Sequence, residues 1–214
     1  MAGPGTAADL LFAELDLSPR QRQIYLEATK LFAAKGFSGA SMSDLAQAVQ
    51  LTKAGLYHFV SSKEELLFTI QSYAMDRIDE DVTRPALAID DPLARLTTII
   101  RNHTRSIGRS VLDNGAFLSV VVDDSSGLDP EHRRRIDKRK RDYFALLRGT
   151  LDALASEGRL TPGVDTTVLA FTLLGMISWI GRWRRPGGRM PLDSVADQIL
   201  RVALAGAVKA PKHP

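Results

Sequence analysis

Between Ser41 and Lys63 the chain sets hydrogen-bond donors at short spacings beside residues with almost no side chain. Lys53, Tyr57 and His58 bring ammonium, phenol and imidazole groups, and Ala54 and Gly55 sit among them. Such donors suit phosphate oxygens, while small residues let a helix backbone come close to base edges. The chemistry that fits is non-covalent recognition of duplex DNA. Catalytic patterns are missing: there is no G-x-S-x-G, P-loop or G-x-G-x-x-G, and His58, His103, His132 and His213 lack metal-ligand spacing. The absence of cysteine removes disulfides, thiolate zinc sites and cysteine nucleophiles together. The expectation is a chain that is not an enzyme and holds neither metal nor cofactor.

Three short helices must position these residues, and their starts are legible. Ser41 with Asp44, Thr52, and Ser62 with Glu65 place short oxygen-bearing side chains where a helix's first N–H groups lack partners. Ser62-Lys63-Glu64-Glu65 reads as a capping box, and Ser41 to Asp44 as its carboxylate version. Leu45, Ala46 and Val49 make one apolar face, and Leu56 with Phe59 or Val60 makes the next. Faces this narrow need a third side. Ser18-Pro19 opens a longer helix that ends before Gly36, with Ile24, Ala28, Leu31 and Phe32 along one stripe. Residues 18 to 60 therefore read as a three-helix unit whose third helix spans 53 to 60.

The segment from about 20 to 67 resembles the DNA-binding domain of the tetracycline-repressor (TetR) family. The residues that carry the likeness are Leu31-Phe32-Ala33-Ala34-Lys35-Gly36-Phe37, Ser41-Met42, Leu45-Ala46, Leu56-Tyr57-His58-Phe59 and Ser62-Lys63-Glu64. The resemblance implies that Ser41, Thr52, Lys53, Tyr57, His58 and Lys63 hold phosphates while Ala54 and Gly55 face bases. Gln50 stands where the family commonly has glycine in the turn before the reading helix, and a non-glycine residue at positive φ costs on the order of 1 kcal/mol. Gly55 stands where serine or threonine is frequent, so sequence preference would lean on Ala54, Lys53 and DNA shape. Charge alone would point elsewhere. Residues 1 to 67 carry a net of −1 within a chain of +3, so the local donors and helix N-termini must supply the positive potential.

At 214 residues and 44% hydrophobic, the chain can bury one small and one medium core. The start has no basic n-region or long apolar run, and a cytoplasmic location is expected. Thr166 to Gly181 is the most apolar window, shorter than the roughly 18 to 20 residues a membrane helix needs. Beyond Leu67 the punctuation by Pro85, Asp91-Pro92, Pro130, Pro162-Gly163, Pro186-Gly187-Gly188 and Pro191 places helices near 62–84, 92–108, 111–122, 130–157, 164–184 and 192–209. No period-two strand pattern appears. The fold class is all-α, in three parts. Residues 1–17 form an arm or a short added helix, 18–67 a three-helix helix-turn-helix DNA-binding domain, and 68–214 a helical ligand-binding and dimerisation domain.

A second likeness lies near the end. Gly175-Met176-Ile177-Ser178-Trp179, Arg182 to Met190 and Val195-Ala196-Asp197-Gln198 are similar to the C-terminal domain of TetR-type regulators that answer to acyl-CoA thioesters, with Arg184 where those have tyrosine. The likeness implies a homodimer built from helices 164–184 and 192–209 through Leu174, Ile177, Trp179, Ile180, Trp183, Ile199 and Val202. An effector pocket is expected among helices 62 to 157, with His103, Phe117, Arg139, Tyr143, Phe144 and Trp179 as candidate contacts. Arg101 and Arg105 flank His103 and are charged as a head-group site would be. The basic run from Glu131 to Arg148 fits a solvated helix face, a grip on CoA phosphates or direct DNA contact. The implied function is a ligand-responsive regulator, a repressor released from an inverted-repeat operator by a small hydrophobic or acyl-CoA-type effector. An efflux regulator sensing an apolar cation or xenobiotic, and a dimeric helical protein-interaction module, stand as alternatives.

Overall fold

The computed structural model describes residues 12–109, 125–184 and 190–207, and these contain helices and turns with no β-strand. Helix α1, Pro19–Gly39, starts from a complete capping box: Gln21 N–H donates to Ser18 Oγ at 3.3 Å, and Ser18 N–H donates to Gln21 Oε1 at 3.1 Å. Its regular part ends at Gly36, whose φ of 71° and ψ of 165° belong to a region open almost only to glycine. The last carbonyls of α1 are taken up from a distance. Lys63 Nζ donates to Phe37 O and Ala40 O, both at 2.9 Å, and lies 4.1 Å over the Phe37 ring.

Helix α2, Met42–Ala48, begins with the Ser41–Asp44 capping box expected from the sequence. It closes in a Schellman turn, with Leu51 N–H donating to Ala46 O at 2.8 Å and Gln50 N–H to Gln47 O at 3.1 Å. Such a turn needs a left-handed residue, and Gln50 supplies it with φ 55°. Arg20 Nη2 donates to Val49 O at 2.6 Å, tying the start of α1 to the end of α2. Helix α3, Lys53–Leu56, follows from its Thr52 cap. It is shorter than the 53–60 expected. The chain tightens after Leu56 into bonds to the third residue back, His58 N–H to Gly55 O and Phe59 N–H to Leu56 O, before Ser62 caps α4, Lys63–Ile78.

Ile24, Ala28, Phe32, Leu45, Ala46, Val49, Leu56 and Val60 are all buried, which makes the three narrow faces one core. Leu31 of the expected stripe is only half-buried. Phe12 is fully buried against Tyr25 and Tyr73, at ring separations of 5.8 and 4.6 Å, so the end of the expected N-terminal arm is anchored; residues 1–11 lie outside those described.

The described residues form two compact units, the first holding 12–76 and 125–137 with Arg109 and Arg184, the second 77–108, 138–183 and 190–207. The first unit takes in α4 as far as Asp76, with Ile70 and Tyr73 buried. The second unit opens with a π-helical turn, Asp79–Thr83, then α5, Arg84–Leu87. Helices α6, Pro92–Arg109; α7, Pro130–Ser156; α8, Thr166–Trp183; and α9, Leu192–Ala207 follow. The helix expected at 111–122 and the Pro186-Gly187-Gly188 turn lie outside the described residues. Antiparallel α6 and α9 are laced by Arg101–Asp197 at 2.9 Å and Arg105–Asp193 at 2.6 Å. They approach closely at Gly108, where a Cβ would fall 2.0 Å from Leu192. No described helix is long and apolar enough to cross a membrane.

The strain argument at Gly36 is isolated from packing, since a Cβ there meets nothing within 4 Å. Gly36→Ala is expected to destabilise the protein by about 1–3 kcal/mol through backbone strain alone. Urea unfolding of the variant checks this, and an unchanged midpoint would contradict it.

Candidate DNA-reading surface and effector site

In the first unit, Leu56 is the buried residue of α3, and Lys53, Ala54, Tyr57 and His58 are exposed. Tyr57 keeps 46% of its surface, unusual for an aromatic beside a core. Ser41 and Thr52 cap helices through their oxygens, which accept from Asp44 N–H at 3.0 Å and Gly55 N–H at 3.0 Å. Their hydroxyl hydrogens stay available to donate, so a capping role and a phosphate contact are compatible. Gly55 has a local reason to lack a side chain: a Cβ would sit 3.2 Å from Thr52 Oγ1 and crowd the cap. Lys63 differs from the other donors. Its ammonium is held by two carbonyls of the first unit, which makes it a clasp between α4 and α1.

In the second unit, three polar contacts join three elements in a closed ring. Arg139 of α7 bonds Asp79 of the π-helical turn at 2.5 Å; Tyr143, one turn on, bonds His103 of α6 at 2.8 Å between Oη and Nδ1. Asn102, beside His103, donates to Asp81 O of the π-helical turn at 2.8 Å, closing the ring. Pro85, four residues on, has no N–H that could donate to that carbonyl in α-helical register. His103 is 6% exposed, and burial lowers its pKa from the ordinary 6.5 to about 4, while burial raises that of Tyr143. The imidazole is therefore neutral at pH 7 and can accept the phenol proton, with the rings edge to face at 5.3 Å.

Of the expected effector contacts, the structure thus brings together His103, Arg139 and Tyr143. Phe144 packs on Phe171 of α8 at 4.5 Å, and Trp179 is 64% exposed under the Arg182 guanidinium, 5.8 Å from the ring. Phe117 lies outside the described residues. Arg101 and Arg105 are engaged by the carboxylates of Asp197 and Asp193 on α9. Asp79 and Asn102 were not singled out in the sequence, although Pro85 hinted at a carbonyl seeking a donor. Thr104 is a further group in α6, fully buried, with its hydroxyl unpartnered among the described residues.

The expected dimer residues divide. Ile177 and Ile180 are buried within a single chain, because one face of α8 must cover its own unit's core. Trp179, Trp183 and Val202 are exposed, and Leu174 and Ile199 are half-buried. Val168 and Phe171, also more than 60% exposed, continue the outward stripe of α8 through Gly175, where a Cβ would meet nothing. An open groove of about 460 Å³ runs beside this stripe, bounded by Val164, Val168, Thr172, Met176 and Val202.

The family model of bacterial regulatory proteins of the tetR family matches residues 24–70, and that of the tetracyclin repressor-like C-terminal domain matches 90–207. The chain is 26% identical over 191 residues to the HTH-type transcriptional repressor KstR2 of Rhodococcus jostii, covering 88% of this chain and 91% of that one. AibR, solved in complex with isovaleryl coenzyme A and operator DNA, is 34% identical with a TM-score of 0.69, covering 86% of this chain and 97% of that one. The ketosteroid regulator KstR2 of Mycobacterium tuberculosis has the same fold, with a TM-score of 0.79 at 21% identity over 91% of this chain and 98% of that one.

Two expectations follow from this geometry. If Lys53 meets a phosphate, Lys53→Ala weakens binding to all duplexes alike and lowers the salt slope by about 0.9 per engaged subunit. Salt titrations of DNA binding test it, and an unchanged slope would exclude the contact. The second concerns His103. Its folded pKa lies below the unfolded one, so between pH 6.5 and 4 the unfolded chain binds more protons, and stability falls as pH falls through that window. The loss reaches about 3 kcal/mol near pH 4. Urea unfolding at pH 7 and 4.5 should show the decline in the parent and a smaller one in His103→Gln; equal declines would remove His103 as its source.

Proposed function

The chain belongs to the tetracycline-repressor family of bacterial transcriptional regulators, and from that premise we propose that it is a homodimeric repressor released from an inverted-repeat operator by an acyl-CoA-type effector. Each subunit lays α3 in a major groove, with Lys53, Tyr57, His58 and the hydroxyls of Ser41 and Thr52 on phosphates. Ala54 and Gly55 come nearest the bases. The two half-sites of such a dimer lie roughly 34 to 36 Å apart. The exposed apolar stripe of α8 supports pairing with a second copy, since an isolated chain would leave two tryptophans and a phenylalanine in water. Sedimentation at the mass of one chain would refute the dimer.

The observation that carries the effector reading is the ring of Arg139–Asp79, Tyr143–His103 and Asn102–Asp81 inside the helical unit. It gathers a guanidinium, a phenol and a neutral imidazole where a ligand with an anionic end and a carbonyl would find both kinds of donor. The buried Thr104 hydroxyl adds a polar group in want of a partner. The likeness to AibR, whose complex holds an acyl-CoA thioester, supports the ligand class.

Binding to a selected operator duplex, titrated with isovaleryl-CoA and separately with isovalerate, tests the reading. Release by the thioester alone is expected, with the response shifted about tenfold or more to higher ligand in Arg139→Ala. An operator complex undisturbed by acyl-CoA thioesters of any chain length would refute the ligand class while leaving DNA reading intact.

A further inference from the structure

The described residues with positive φ are Gly36, Gly158, Gly163, Phe12 and Gln50. Three are glycines, which take such a backbone without strain. Phe12 offsets its strain by full burial against Tyr25 and Tyr73. Gln50 shows neither reason: its side chain is exposed, and no described residue bonds its amide. Left-handed backbone is uncommon for a residue other than glycine, asparagine, aspartate or histidine, and a glutamine there gains no local hydrogen bond of the kind asparagine makes.

The turn between α2 and α3 does not depend on this side chain. Gln50 N–H and Leu51 N–H donate to Gln47 O and Ala46 O, Arg20 holds Val49 O, and Thr52 Oγ1 accepts from Gly55 N–H. Val49 is fully buried, and Leu51 lies beside Gly55, 3.8 Å from where its Cβ would be. Both neighbours of Gln50 thus face the protein. Gln50 itself is exposed, as are Thr52, Lys53 and Ala54. Thr52 follows within at most about 7 Å of chain and Lys53 within about 11 Å. Glycine at position 50 would serve the turn and remove the strain, so the fold gives no reason for the amide.

We propose that Gln50 is a DNA contact in its own right, its side-chain amide donating to an operator phosphate beside those met by Thr52 and Lys53. The proposal rests on α3 entering the major groove and adds a residue ahead of that helix. Strain kept at a position that glycine would fill better is what a residue retained for binding leaves in a structure. The amide carries two N–H donors and no charge, so it grips the backbone without releasing a counterion.

Operator affinity without effector tests this, measured by fluorescence anisotropy over a range of salt on a duplex selected from random sequence. The proteins compared are the parent, Gln50→Gly, Gln50→Glu and Lys53→Ala, each also unfolded in urea. Gln50→Gly is expected to be at least as stable as the parent and to bind about fivefold or more weakly, with the salt slope unchanged. Relief of strain at a merely structural position would not weaken binding. Gln50→Glu keeps the length and the strained backbone but brings a carboxylate to the phosphate, so a loss of about tenfold or more is expected at low salt, shrinking as salt rises. Three results overturn the proposal: a Gln50→Gly variant within about twofold of the parent's affinity, one less stable in urea than the parent, or a Gln50→Glu variant that loses no more than Gln50→Gly. If Lys53→Ala still weakens binding, such a failure belongs to Gln50 alone; if Lys53→Ala also binds as the parent does, it reaches the placement of α3.

Discussion

A helix of one turn cannot hold itself together in water, because ordering its first turn costs more than its few hydrogen bonds return. The reading helix Lys53–Leu56 is of that kind, and the first unit is organised around keeping it in place. Thr52 caps its start, the Schellman turn at Gln50 fixes the angle at which it leaves α2, and Arg20 pins the end of α2 to the start of α1. Leu56, with no exposed surface, is the anchor that commits one face to the core. The remaining face is left for partners, which is why so short an element can present Lys53, Ala54, Tyr57 and His58 in a fixed array.

The second unit solves a different problem. Polar groups taken out of water must find partners or destabilise the fold. The ring between the π-helical turn, α6 and α7 meets that demand where His103 and Tyr143 are buried, imidazole with phenol, while the more exposed Asp79 carboxylate meets Arg139 and the Asn102 amide meets the Asp81 carbonyl. Leu96, Ile99, Ile100 and Ile107 of α6 are buried and give this part of the unit its apolar core.

Helix α8 shows how one element serves two surfaces. Ala170, Leu173, Ile177 and Ile180 are buried in its own unit, while Val168, Phe171, Trp179 and Trp183 point outward. Apolar residues nearly all round a helix imply cover on two sides, and the described residues provide it on one. Gly175, on the outward stripe with open space where a side chain would be, allows a neighbouring helix to approach closely.

The sequence by itself determined the helical class, the caps at Ser18, Ser41, Thr52 and Ser62, the break at Gly36 and the need for an unusual backbone at Gln50, because each depends on residues within a few positions of one another. Tertiary structure decided everything that joins distant positions. Lys63 looked like a phosphate donor in its motif, and only the fold brings it to the carbonyls of Phe37 and Ala40. Arg101 and Arg105 flank His103 in sequence, and only the fold pairs them with Asp197 and Asp193 of α9. Asp79 lies 60 positions from Arg139, and no periodicity links them. Which side of α8 faces inward was equally hidden, since isoleucine and tryptophan satisfy the same apolar pattern and only packing against a particular neighbour separates core from interface.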